Sequence, residues 1–421
     1  MINVNDYKGV SDNDRIEAAI KDCKGRVVVI SPRESEIEPE RDWWLLDRAI
    51  LLPADTTIIL RNCKIKLSDK CRDNFFRSAN CGIGIDNPEP LSNIHIQGVG
   101  NAVLEGADHP RATGDGSKIL GCPCPKNFTG SANPTFEDFH RHSYGTDAGK
   151  EGESPKGDWR NIGILMANVD HLSIDNVRII EPHAWSISLE KCSYAKITRI
   201  ELKACMTRVI DGAEQNVENQ DGINLRNSCH DVLISDITGT TGDDVVALTA
   251  IASQHRRYNG GAFCSTHVMP NDYSNREKGI HNVIIRNILA YPAGGCAILR
   301  FLATDGAEIR NVSVDNIVDT SPDDFHARAG ILVGGYPGEI GEPGSKYGDQ
   351  QEYSLFNINI SNLVTNTRCS LYMPGGLVNS TISNIVNRNP NGKAIDDIRP
   401  DLKINVKYSN ICDCAETQPS N

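Results

Sequence analysis

The sequence predicts an all-β fold, a right-handed parallel β-helix with a short capping helix at its N-terminus. Three observations carry that prediction. A short pattern (apolar, any, apolar, any, any, apolar) recurs along most of the chain; its closest copies stand 22 or 23 residues apart; and almost no helix separates them. Period-two apolar positions in pieces this short mean strands. A period in the low twenties built from such strands marks a solenoid. Leucine-rich repeats share the period, but their Leu-rich motif is absent. In a parallel β-helix each coil lies about 4.8 Å above the last, so residues of equal phase form buried ladders, and inward-facing Asn and Cys suit such stacks.

The elements follow in order. Ser11-Asp-Asn-Asp-Arg-Ile-Glu-Ala-Ala-Ile20 has a capping residue, acidic first-turn residues and Ile16, Ala19 and Ile20 at helical spacing. Arg26-Val-Val-Val-Ile30 reads as a strand. The helix is expected to cover the first coil, whose strand edges would otherwise pair with other chains. Trp43 and Trp44 are expected to pack over the N-terminal coils. Repeat copies begin at Ile94, Leu172, Ala195, Val232, Val283, Val312 and Ile358, with a weaker one at Ser380. Asn often stands one residue before the first or last slot, as Asn282 and Asn287 do. The longer gaps are loops pushed out of a coil: about 107–158, the longest, and about 206–218, 251–280 and 335–353, all rich in turn-forming residues. One domain, 1–421, is expected, with a cap over 1–30 and a loose tail at 409–421.

Composition narrows the function. Lys and Arg number 43 against 55 Asp and Glu, a net charge of −12, which argues against nucleic acid as a partner. No apolar run is long enough for a membrane helix. No signal-peptide pattern follows Met1, which leaves the compartment open. Fourteen cysteines are too few for a disulfide scaffold of this length, and Cys63, Cys192 and Cys205 sit singly in apolar segments, where a thiol is a small hydrophobe. The pairs Cys122/Cys124 and Cys412/Cys414 lack the spacing and His of a zinc site. No metal or cofactor is expected, and a solenoid covered at both ends is expected to be a monomer.

In a solenoid, residues of equal phase line up on one face. Counting six forward from the last apolar slot gives His183, Asp243, Gly294 and Asp323, and the coil carrying the 206–218 insertion contributes Asp221. Asp221, Asp243 and Asp244 then fall on adjacent coils, with Cys296, Arg300 and Arg328 beyond them. Stacked carboxylates repel, so one is expected to keep its proton beside ionised partners. Glycoside hydrolysis needs that division, a protonated acid for the leaving oxygen and a carboxylate for water. Asp-Gly and Gly-Asp-Asp are also turn chemistry, and Asp323-Asp324 reads as a turn.

At these residues the chain resembles a known family. Asn219-Gln-Asp221-Gly-Ile-Asn-Leu and Thr241-Gly-Asp243-Asp244-Val-Val-Ala-Leu are similar to the first two signature motifs of the polygalacturonase family, glycoside hydrolase family 28. Arg160-Asn-Ile-Gly-Ile-Leu and Ile180-Glu-Pro-His-Ala-Trp185 resemble the segment leading into its cleft, and Asp6-Tyr-Lys-Gly-Val resembles its N-terminal cap. The resemblance, over about residues 3–390, implies that Asp243 is the general acid, that Asp221 and Asp244 hold and deprotonate the attacking water, and that the anomeric carbon inverts. The third motif, Gly-His-Gly, falls on Gly294-Gly-Cys296 in one register or is supplied by His267 in another. The fourth, Arg-x-Lys, becomes Arg300-Phe-Leu or Arg328-Ala-Gly, without its Lys.

The implied substrate is an oligo- or polysaccharide of pectin type or related to it, with Asn219, His183, Trp185, His267, Arg300 and Arg328 as candidate contacts. Trp185 divides between stacking on a sugar and packing over a coil. The Phe136-Glu-Asp-Phe-His-Arg-His142 cluster and His255-Arg-Arg257 read as loop and charged turn, and the 107–158 insertion is long enough to close one end of a cleft and favour exo action. The alternatives are a polysaccharide lyase on the same fold, which would need Ca²⁺ or a base near a uronic acid, and a non-catalytic glycan-binding β-helix.

Overall fold

A computed structural model describes residues 1–71, 73–82, 85, 87–110, 158–210, 212–217, 219–251, 268, 279–304, 306–335 and 353–413. Two long sheets dominate it, one of fifteen strands and one of ten. In both, every strand pair is parallel, and successive strands belong to successive passes of the chain. The fold is the right-handed parallel β-helix expected.

The repeat works because its middle slot points inward. Val28, Ile58, Ile96, Ile174, Ile197, Ile234, Ile285, Val314, Ile360 and Ile382 lie in register, each fully buried. A buried aliphatic side chain contributes roughly 1.5–3 kcal/mol, and a column of them holds the register against slips that would turn apolar residues outward. Every copy read from the sequence stacks in this column's frame. Two coils escaped the pattern. Thr56 and Arg61 occupy outer slots opposite Ile94 and Val99, and in the last coil Val406, Tyr408 and Ile411 are only partly covered.

The Asn signal has a different cause from the one expected. Asn282, Asn311, Asn357, Asn379 and Asn405, and five residues later Asn287, Asn316, Asn362, Asn384 and Asn410, all have positive φ. They stand at bends of the long first-sheet strands, outside the core rather than in it. Asn tolerates this left-handed geometry better than other residues with a Cβ. Their amides also hydrogen-bond from coil to coil: Asn384 Nδ2 donates to Asn362 at 2.9 Å, and Asn410 Nδ2 to Asn384 at 2.8 Å. Replacing Asn384 by Ala is expected to destabilise the end coils by roughly 1–2 kcal/mol, and Asn384→Gly by less. Denaturant unfolding of the two variants checks the order; equal losses would refute the backbone explanation.

The ends are covered as expected at one side and better than expected at the other. The helix Asp12–Cys23 is capped by Ser11, whose hydroxyl accepts from Asp14 N while Asp14 accepts from Ser11 N, and it buries Ile16, Ala19, Ile20 and Cys23. The first core strand is Val27–Ile30. Trp44 is fully buried in the core and donates to Ser31 O at 2.7 Å, whereas Trp43 is half-buried beside Lys64. At the other end the tail expected from 409 onward is in part a strand: Lys403–Cys412 pairs with Leu377–Asn387 through Cys412. Its side chains are too polar to announce a strand, because it is the outermost one. Within the 206–218 insertion, Thr207–Ile210 and Ala213–Asn216 form an antiparallel hairpin.

Among the described residues no cysteine is in a disulfide. Cys23, Cys63, Cys71, Cys81, Cys192, Cys229 and Cys369 are buried thiols, Cys205 and Cys296 are partly buried, and Cys412 is exposed. Cys122, Cys124 and Cys414 lie outside the described residues, as does most of the 107–158 loop with its Phe136–His142 cluster, and so does His255-Arg-Arg257. No described helix is long and apolar enough to cross a membrane.

Candidate active site

The three carboxylates come together at the edge of the second sheet. Ile223 pairs with Val246, so Asp221 and Asp244, two positions upstream of each, are level on adjacent coils, and Gly222 N donates to Asp244 O at 2.9 Å. Their side chains face out of the solenoid. Asn224 and Arg300 lie between inward-facing neighbours (Ile223 and Leu225, Leu299 and Phe301), and it is these outward residues that meet the carboxylates. Asn224 Nδ2 donates to Asp221 Oδ2 at 3.1 Å. Ala297 N donates to Asp244 Oδ1 at 2.8 Å, and Arg300 Nη1 lies 3.9 Å from Asp244 Oδ2. Asp221 and Asp244 are 6% and 4% exposed, while Asp243 is only half-buried. Asp243 Oδ1 accepts from Asp244 N at 2.9 Å, and its carbonyl accepts from Thr241 Oγ1 at 2.6 Å, which fixes the turn.

The next coil corrects the counted column. First-sheet pairing sets Thr241 against Pro292, but second-sheet pairing sets Val246 against Leu299, so the turn between is two residues longer in the later coil. Cys296, not Gly294, is therefore level with Asp243. A further three residues in the following turn put Arg328, not Asp323, level with Cys296, since Ala290 pairs with Asp319 but Ala297 with Ala329. Cys296 Sγ and carboxylate oxygens of Asp243 and Asp244 all lie within 4.8 Å of one another. Burial first, then the charges of Asp243 and Asp244, push the Cys296 thiol well above its ordinary range. Asp323 and Asp324 form the turn expected of them, with Asp323 3.5 Å from Arg388.

Two aromatic candidates turn inward instead of toward a ligand. Trp185, level with Asp221, is 4% exposed and packs with Trp159, Ile162, Leu165 and Val268, the Arg226 guanidinium 4.9 Å from its ring centroid. Packing over a coil, not sugar stacking, is its role here. His183 is 2% exposed, and its Nε2 accepts from Ala107 N at 2.9 Å, so its proton sits on Nδ1. It is a neutral buried group rather than the sugar contact expected. Neither partner is visible in sequence, because Ala107 and the packing against Trp159 come from other segments of the chain.

Burial, aided by the Arg208 charge, pushes His183 down to about 3. An unfolded His titrates near 6.5, so between those values the unfolded chain binds a proton that the folded one refuses. Stability from this group is therefore complete above about 6.5 and is lost as pH falls toward 3. In His183→Gln, which keeps an acceptor for Ala107 N–H, the acid-side fall in unfolding free energy is expected to be shallower by up to ~1.4 kcal/mol per pH unit. Unfolding titrations at several pH values test this; parallel curves for both proteins would refute it.

Of the other candidates, Asn219 is buried with a positive φ beside Gln220, whose Nε2 donates to Pro182 O at 2.8 Å. Arg300 is beside Asp244, and Arg328 is exposed one coil beyond Cys296. His267 lies outside the described residues; its neighbour Val268 donates to buried Glu190 Oε2 at 2.7 Å. Asn224 and Gln220 were not singled out in sequence. Asn224 was findable as the outward position of the strand following Asp221.

A parallel β-helix that carries a carboxylate cluster on the outside of one sheet has the equipment of a glycoside hydrolase. The profile of Glycosyl hydrolases family 28 matches residues 86–267, the stretch that holds Asp221, Asp243 and Asp244. No curated protein sequence matches significantly. Among solved structures, the chain is similar to the polygalacturonase of Erwinia carotovora ssp. carotovora (12% identity, 97% of this chain and 95% of that one, TM-score 0.47). It is also similar to the hyperthermoactive exopolygalacturonase of Thermotoga maritima (14%, 97% and 91%, 0.46). A third is a tailspike protein mutant of E. coli bacteriophage HK620 (12%, 97% and 65%, 0.49).

Proposed function

We propose that this chain hydrolyses a pectin-type or related glycan with inversion at the anomeric carbon. The observation that carries the reading is the outward cluster of Asp221, Asp243 and Asp244 on two adjacent coils, set against Asn224 and Arg300 rather than in the apolar interior. Asp243, the most accessible of the three, protonates the glycosidic oxygen. Asp221 and Asp244, level with each other and held by Asn224 and Ala297, orient a water and take its proton as its oxygen attacks the anomeric carbon. The bond to the leaving sugar breaks as the new one forms on the opposite face. Asn219, Arg300 and Arg328 are assigned to the bound sugar's hydroxyl or carboxylate groups, Arg because its planar fork suits either.

Two measurements test this. Defined pectic and neutral oligosaccharides are screened for hydrolysis, and the first product of any that react is followed by proton NMR. Inverted anomer is expected. Retained anomer would refute the mechanism, and an unsaturated product absorbing in the ultraviolet would replace hydrolysis by a lyase reaction.

A further inference from the structure

Cys296 lies directly against the carboxylate assigned as the acid. It is level with Asp243 on the following coil, its Sγ lies within 4.8 Å of carboxylate oxygens of Asp243 and Asp244, and its side chain hydrogen-bonds Asp243. The charged groups facing this thiol are Asp243, Asp244 and Asp221, with Arg300 against Asp244. Among carboxylates an S–H is the form retained, so in this pair the thiol donates and the carboxylate accepts. A thiol donor makes a weak bond to a neutral acid and a stronger one to an anion. That difference matters only if the acceptor gains charge during the reaction.

We propose that Cys296 is a positioning residue for the general acid: its S–H holds the Asp243 carboxyl in place and stabilises the carboxylate that forms as the proton leaves for the glycosidic oxygen. The role rests on Asp243 being the acid. The thiol keeps its own proton throughout; one proton passes from Asp243 to the leaving oxygen, and the electron pair of the C–O bond goes with that oxygen. The bond is stronger in the transition state than in the ground state, so it raises kcat rather than lowering KM.

The experiment uses the full chain and three variants. In Cys296→Ala, kcat on the pectic oligosaccharide that the screen selects is expected to fall about tenfold with little change in KM, and the alkaline limb of the kcat/KM profile to move to higher pH. Cys296→Ser, which restores an O–H donor, is expected to recover most of the loss. Independently of substrate, iodoacetamide labelling of Cys296 at pH 8, read by peptide mass spectrometry, is expected to accelerate about tenfold or more in Asp243→Asn, while exposed Cys412 labels unchanged. Equal Cys296 labelling in wild type and Asp243→Asn would overturn the contact. An unchanged kcat and pH profile in Cys296→Ala, beside an inactive Asp243→Asn, would overturn the role alone. Full turnover by Asp243→Asn would remove the acid assignment and this role together.

Discussion

Asp243→Asn is expected to lower turnover by about a thousandfold while leaving the fold and glycan affinity intact. The size follows from the step lost. General acid catalysis at a positioned group contributes about 10²–10⁴-fold, and departure of a sugar alkoxide without a proton is the harder half of the reaction. An Asn amide keeps the volume, and its carbonyl oxygen still accepts from Asp244 N–H, as Asp243 Oδ1 does at 2.9 Å. The Thr241 hydroxyl bonds the backbone carbonyl of residue 243, which the substitution leaves untouched. Circular dichroism and thermal unfolding should therefore match wild type, and affinity for an oligosaccharide substrate should change little. A variant that retains more than a tenth of the activity would defeat the assignment of Asp243 as the acid. One that loses activity and binding together would point instead to a collapsed site.

Much of the fold was legible because its physics is one-dimensional. The inward column from Val28 to Ile382 repeats one contact per coil, so each copy of the pattern reports the same environment. The Asn positions were visible too, although their cause, a left-handed bend outside the core, is a backbone matter that composition does not disclose. The three carboxylates were legible for the same reason as the ladders: adjacent coils, equal phase. What failed was counting across turns. Two extra residues before Ala297 moved the column from Gly294 to Cys296, and turn length is set by how far a loop bulges, which leaves no periodic trace. The roles of His183 and Trp185 were hidden because burial by Ala107 or beside Trp159 depends on segments far away in sequence.

That turn is also where the smallest change should have a large effect. Gly294→Ala is expected to cut turnover about a hundredfold although residue 294 carries no chemistry. A Cβ there would stand 1.9 Å from Gly242 O and 3.0 Å from Gly242 C, both backbone atoms, and 3.4 Å from Met206 Cε. Met206 can yield, but the Gly242 carbonyl cannot without moving the turn into Asp243. A displacement of about 1 Å at a reacting group costs on the order of 10²-fold in rate, and overpacking of this kind costs roughly 1–3 kcal/mol of stability. Gly295→Ala separates the two effects. At Gly295 no atom lies within 4 Å of the added carbon, but φ is +83, so that variant should lose roughly 1–2 kcal/mol from backbone strain and keep most of its activity. Measured together, rate loss at 294 with stability loss alone at 295 would tie the position of Asp243 to the packing of one turn on the next. Equal activity in both variants would show that the acid is held by other contacts.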